Sequence, residues 1–204
     1  MILFEEKKVA FLFPARNGST AASKFLRKSK IKYIALENRH IPLKDAKNNF
    51  PQIEDYTIYC FFRNPIERVA SYITFDLDNV YAKNIIKIFK NDVKGKDYTN
   101  FLDVYFKNKV DSYIAGVYFL PQRSYYLNDL NVEVLNFANY ESELRRASQG
   151  LDLDDIKIER QNQSKYEDSE VNKIEFISWL TPYMKEYFAD DCKFMYEKFG
   201  HKIE

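Results

Sequence analysis

Two stretches of this chain are built to one plan, in which an apolar run of strand length meets a short polar turn and then the start of a helix. Val9-Ala10-Phe11-Leu12-Phe13 leads into Pro14-Ala15-Arg16-Asn17-Gly18-Ser19-Thr20 and on to Ala21-Ala22-Ser23-Lys24-Phe25-Leu26. Thr57-Ile58-Tyr59-Cys60-Phe61-Phe62 leads into Arg63-Asn64-Pro65 and a helix carrying Arg68, Ser71 and Tyr72. Tyr33-Ile34-Ala35-Leu36 reads as a further short buried strand, and another lies near Val132. Strands alternating with helices predict an α/β fold with a central parallel sheet flanked by helices. Ligand sites in such a sheet lie outside the carboxyl ends of the strands, where the strand order reverses.

Both turns have the chemistry of an anion site. The first N–H groups of a helix have no partner inside it, and the aligned peptide dipoles concentrate positive charge there. In the first turn Gly18 permits close backbone approach, Ser19 and Thr20 add hydroxyl donors, and Arg16 adds a charge able to bond in a bidentate way. In the second, Asn64 is a good N-cap and Pro65 occupies the favoured first helical position. Ser71 follows Arg63 by about two helical turns, a spacing that would let both hold one anion. The plainer alternatives are a capped helix with a solvated Arg16, and a surface helix whose Arg63 and Arg68 pair with carboxylates such as Glu67.

The nucleoside-triphosphatase loop GxxxxGK[ST] ends in a lysine followed by a hydroxyl that holds magnesium. No lysine precedes Ser19. Magnesium-dependent phosphoryl transfer also commonly uses an aspartate at the end of a neighbouring strand, where this chain has Arg63. An arginine there repels a metal and attracts a second anion, so no metal site is expected.

The two segments together resemble the sulfotransferases that use 3′-phosphoadenosine-5′-phosphosulfate (PAPS), and especially their carbohydrate branch. In that family a Pro-(Lys/Arg)-x-Gly-(Thr/Ser)-Thr loop binds the 5′-phosphosulfate. Arg16 to Thr20 is similar to it, with Ala15 as one extra residue after Pro14. A segment beginning Arg-x-Pro-x-x-Arg-x-x-Ser binds the 3′-phosphate, and Arg63, Pro65, Arg68 and Ser71 match it. Weaker similarity continues through Leu120 to Leu127, Val134 to Glu141, Asn162-Gln163-Ser164 and Tyr187 to His201. The resemblance implies a P-loop-like three-layer domain spanning residues 1–204. It also implies transfer of a sulfuryl group from PAPS, with adenosine 3′,5′-bisphosphate (PAP) as product, to an acceptor hydroxyl, on a carbohydrate in the branch it most resembles. The nucleotide ligands it implies are Arg16, Asn17, Gly18, Ser19, Thr20, Arg63 and Ser71.

Such a reaction needs charge stabilisation at the departing phosphate, for which Arg16 is the candidate, and a base for the acceptor hydroxyl. His40 follows the second predicted strand at the sheet edge that carries Gly18. Related sulfotransferases use a histidine or a glutamate, so Glu37 is the alternative. Gln122 and Arg123 would line the acceptor channel, Asn162 and Ser164 would close over the nucleotide, and the helical stretch at 76–115 would choose the acceptor. Two rivals stand beside this reading: a phosphotransferase with a degenerate P-loop, and a binding module that kept the grip and lost the chemistry.

Composition sets the remaining bounds. The 204 residues, 46% of them hydrophobic, suffice for one core. With 31 Lys and Arg against 30 Asp and Glu the formal charge is +1, so no global basic field points to nucleic acid. Cys60 and Cys192 are too far apart in sequence and context to suggest a disulfide framework. With no apolar run of membrane-span length and no signal-peptide pattern, no membrane partner is expected, and the expectation is a cytoplasmic protein or else a catalytic domain separated from its anchor. The lysines at 28–32 and 83–96 read as solvated faces. A polar loop is expected over Gly150 to Ser169. Helices are expected at Ser169 to Leu180 and Pro182 to Phe199, with Tyr183, Tyr187, Phe194 and Tyr196 as a core stripe.

Overall fold

A computed structural model of the chain describes residues 1–75, 80–91, 121–125, 131–159 and 171–203. The chain divides into two compact units, Met1–Arg63 with Gln122–Asn162 and Asn64–Pro121 with Gln163–Glu204.

The first unit is α/β. Its five strands are β1 (Ile2–Phe4), β2 (Val9–Leu12), β3 (Ile34–Ala35), β4 (Thr57–Phe62) and β5 (Val132–Asn136), in the spatial order β3-β1-β2-β4-β5. The pairs β2/β4 and β4/β5 are parallel, as expected. The expectation of an all-parallel sheet is corrected by β1, which runs antiparallel to both β2 and β3. The cause is local. Glu5–Lys7 form a single 3-10 turn and Lys8 takes a left-handed φ of 52°, so the chain folds straight back with Phe4 opposite Val9. A connection this short permits only an antiparallel pair.

Side chains alternate across a sheet, and both faces of this one are apolar. Ile2, Phe4, Phe11, Phe61 and Leu135 share one face with Phe25 and Leu26 of α1 (Ser19–Leu26) and Leu144 and Ala147 of a later helix, Tyr140–Ala147. The loop expected after Gly150 adds Leu151, Leu153 and Ile158 to this core. On the opposite face Leu3, Ala10, Leu12, Ile58, Cys60 and Phe62 are buried. In the connection from β3 to β4, α2 (Leu43–Asn49) buries Leu43 and Ala46. Lys28 pairs with Glu159 and Lys30 with Asp152 on the exposed surface.

The described part of the second unit is helical: α3 (Pro65–Ile73), α4 (Val80–Lys90), α6 (Lys173–Tyr187) and α7 (Ala189–Phe199), with Tyr140–Ala147 of the first unit being α5. Asn64 caps α3, its Oδ1 accepting from the N–H groups of Ile66 at 2.9 Å and Glu67 at 3.2 Å. Ile66, Val69, Ala70 and Ile73 of α3 pack with Ile85 and Ile86 of α4 and Phe176, Leu180, Met184 and Phe188. The expected break before Pro182 does not occur, and α6 runs through it to Tyr187. The core stripe also differs, since Tyr187 and Tyr196 are 47% and 58% exposed. The seam that wins is Phe176, Leu180, Met184 and Phe188, spaced at four residues, the other helical face available to the same period.

Among the described residues no helix is long and apolar enough to cross a membrane. Both cysteines are free thiols.

Candidate functional site

Adjacent parallel strands β2 and β4 bring their carboxyl ends to the same edge of the sheet. The chain leaves β2 through α1 for β3 on one side, and returns through α2 to β4 on the other. The order of strands therefore reverses between β2 and β4, where open α/β sheets place their ligands. Arg16 and Gly18 follow β2 and Arg63 follows β4, so the reversal brings the two arginine-bearing turns together.

The turn after β2 is tightly wound. Arg16 and Gly18 both have left-handed backbones, at φ 63° and 72°. At Gly18 this conformation and the surrounding space both require glycine, because an added Cβ would stand 2.4 Å from Cε2 of Tyr140. The Tyr140 hydroxyl donates to the Gly18 carbonyl at 2.8 Å, and the first α1 ladder bond, from Ala22 N–H, reaches the same oxygen at 3.0 Å. Burial pushes the Tyr140 phenol well above its ordinary pKa, keeping it a donor at any physiological pH. The N-cap residue of α1, Gly18, has no side chain to cap it, and the first turn of the helix carries no acidic residue. The helix end is therefore electrostatically open to an anion. Ser19 is buried at this end and Thr20 half-buried.

Arg63 joins the turns. Its Nη1 donates to the Arg16 carbonyl at 3.1 Å, and its guanidinium carbon lies 4.8 Å from the centre of the Phe137 ring. Stacking on the aromatic face holds the planar group without neutralising it. The Arg63 backbone is gripped by Gln122, whose Oε1 accepts from Arg63 N–H at 3.0 Å while its Nε2 donates to Arg63 O at 2.7 Å. The same Oε1 accepts from Asn17 Nδ2 at 2.6 Å, and Asn17 Nδ2 also reaches Phe61 O at 2.7 Å. Asn17 is 2% exposed and Gln122 0%. Their amides thus work inside the protein, holding the two turns in register. Gln122, which the sequence suggests as lining an acceptor channel, is fully buried and makes these interior bonds. Arg123 is half-buried beside it.

His40 lies in the loop after β3, its Nδ1 2.8 Å from the Phe13 carbonyl. A carbonyl only accepts, so Nδ1 carries the proton and Nε2 is the lone-pair nitrogen of a neutral ring. Burial lowers the His40 pKa to about 4 against the raising effect of that hydrogen bond, with the neighbouring Arg39 charge adding to the drop. Glu37 is exposed in the same loop. Ser71 lies in the second unit on α3, 1% exposed, as is Arg68, whose guanidinium carbon is 5.7 Å from the centre of the Phe188 ring. Glu67, the carboxylate named in the plainer alternative, is 3.9 Å from Lys173. Asn162 and Ser164 lie outside the described residues.

Two residues carry structural weight at this site that sequence reading did not assign. Arg39 extends Nη1 to within 3.4 Å of Thr20 Oγ1, adding a guanidinium at the first turn of α1. Tyr140 closes the turn at Gly18 from 122 residues away. Arg39 is adjacent to His40 and Tyr140 lies in the similar stretch from Val134 to Glu141, but nothing local assigns either of them a role at this turn. Among the described residues no group of three or more His, Cys, Asp or Glu side chains could hold a metal ion.

No protein-family model, curated protein or solved structure matches this chain.

Proposed function

We propose that the protein is a PAPS-dependent sulfotransferase acting on a hydroxyl of a carbohydrate acceptor, with a P-loop-like three-layer fold and a cytoplasmic location as part of the same reading. The observation that carries it is the hydrogen bond from Arg63 Nη1 to the carbonyl of Arg16. It draws two cationic turns, each at the end of a parallel strand, to one point of the sheet edge.

The residues present fit a donor with two separated anionic groups. The turn from Arg16 to Thr20 offers a guanidinium, two hydroxyls and the first N–H groups of α1, suited to the 5′ end. Arg63, with Ser71 assigned by resemblance, suits the 3′-phosphate. When bound, PAPS supplies an activated sulfuryl group whose departure leaves negative charge on the 5′-phosphate. Arg16 and the α1 amides stabilise that charge more in the transition state than in the ground state. Binding at Arg63 converts affinity at a remote group into alignment at the reacting one. His40 takes the acceptor proton at Nε2, with Glu37 as the alternative base. The ring is neutral at pH 7, the state a base requires, although burial also makes it a weak one.

Calorimetric titration with PAP beside ATP and magnesium tests the proposal. Binding of PAP well below ATP in Kd, followed by sulfate transfer from PAPS to a member of a glycan panel, is expected. Tight magnesium-dependent ATP binding instead would move the protein to the phosphotransferases. PAP binding without transfer to any acceptor would make it a binding module.

A further inference from the structure

We infer that Gln122 is a positioning residue that sets the separation of the two anion grips and so makes the site selective for nucleotides with two separated phosphates; this rests on the reading given above. Gln122 is fully buried, and its side-chain amide bonds to residues from two different turns. Toward β4 it behaves like one rung of a sheet: it accepts from the N–H and donates to the C=O of Arg63, fixing the backbone that launches the guanidinium. Toward β2 it accepts from Asn17, the residue immediately before Gly18. Asn17 in turn holds the carbonyl of Phe61, two residues before Arg63. Arg16 O and Arg63 Nη1 close the circuit. Displacing either turn therefore breaks hydrogen bonds made by the other.

The chemistry demands a carboxamide. Only that group offers, at one position, an acceptor with two lone pairs and a donor in the same plane. Glutamate in its place keeps the shape and both acceptor functions but has no hydrogen to give Arg63 O, so the grip on the second turn fails while the bulk remains. The consequence for a ligand follows from multivalency. A nucleotide held at both ends gains from the second contact only when the two grips stand at the right spacing, whereas a ligand held at one end is indifferent to it.

The test measures affinity for PAP, adenosine 5′-monophosphate and adenosine 3′-monophosphate in the parent, in Gln122→Glu and in Gln122→Met, which keeps the bulk without a charge and loses every hydrogen bond of the amide. Thermal melting of each protein shows that it is folded at the assay temperature. In the parent, PAP is expected to bind at least about 100-fold more tightly than either monophosphate. In the variants that preference is expected to fall by about tenfold or more, while the monophosphate affinities stay within about threefold of the parent. A general loss of structure would weaken all three ligands together. Folded variants that keep the parent's preference, or that lose affinity for all three ligands equally, overturn the role of Gln122. A parent with no preference for PAP overturns the sulfotransferase reading itself, which separates the two failures. Should Gln122→Glu not fold, Gln122→Met alone decides by the same criterion.

Discussion

Arg39 and Thr20 meet at the first turn of α1, with Nη1 of the arginine 3.4 Å from the hydroxyl oxygen. On the proposed function, Arg39 adds its guanidinium to the grip on the 5′ end of the nucleotide. Arg39→Ala is expected to weaken PAP binding by about tenfold at low ionic strength, with a smaller effect at high salt, because a half-exposed charge is screened. The same variant has a second readout. Arg39 is one of the charges holding His40 low, so its removal should raise the His40 pKa in an NMR titration. An unchanged value would show that the Arg39 charge does not act on the imidazole.

At Gly18 two costs coincide. Any side chain meets the left-handed backbone at φ 72°, worth about 1–2 kcal/mol, and collides with the Tyr140 ring. Gly18→Ala should lower stability beyond the backbone term alone. Adding Tyr140→Ala should restore only the part due to the collision, so the two substitutions will not be additive in denaturant unfolding. Tyr140→Phe, which removes only the bond to Gly18 O, should cost about 1 kcal/mol.

Arg63→Ala should reduce PAP affinity by about 2–3 kcal/mol, and Arg63→Lys should recover little of it. Lysine keeps the charge but loses the planar fork that reaches Arg16 O while lying on Phe137. Calorimetry on both variants checks this. Parent-like affinity in Arg63→Ala would end the sulfotransferase assignment.

His40 gives a pH dependence whose sign is fixed by the direction of its shift. The folded protein holds its pKa at about 4, below the ordinary 6.5, so between these values the unfolded chain binds the proton and the folded one does not. The stability contributed by the neutral ring is complete above pH 6.5 and is lost as pH falls toward 4. His40→Gln lacks this slope. The difference in Tm between parent and variant should therefore shift against the parent from pH 7.5 to pH 4.5. On the proposed function, the His40 limb of the pH dependence of kcat/KM, which reports the unliganded protein, should lie below pH 5. A His40→Ala protein with full turnover would exclude the ring as base and favour Glu37.

The strand ends and turns at Gly18 and Arg63 were legible because their determinants are local. Apolar runs stop where Pro14 and Arg63 begin, and Asn64-Pro65 specifies a helix start within three residues. Strand β1 was not, since three residues followed by Glu5-Glu6-Lys7-Lys8 carry too little pattern to show a period. The choice between two seams of α6 was equally invisible: Phe176, Leu180, Met184 and Phe188 share their spacing with Tyr183 and Tyr187, and only tertiary packing decides which side is covered. Gln122 and Tyr140 act on partners 105 and 122 residues away, so no window of sequence could reveal the register they impose on the site.

The carbonyl of Gly18 accepts two hydrogen bonds at once, from Ala22 and from the Tyr140 phenol. Electron density drawn onto that oxygen is withdrawn through the conjugated peptide from its nitrogen, which belongs to Ser19. The Tyr140 phenol thereby sharpens the acidity of the Ser19 amide, the donor that the proposed function offers to an oxyanion. Tyr140 acts on this proton donor electronically, through the peptide bond.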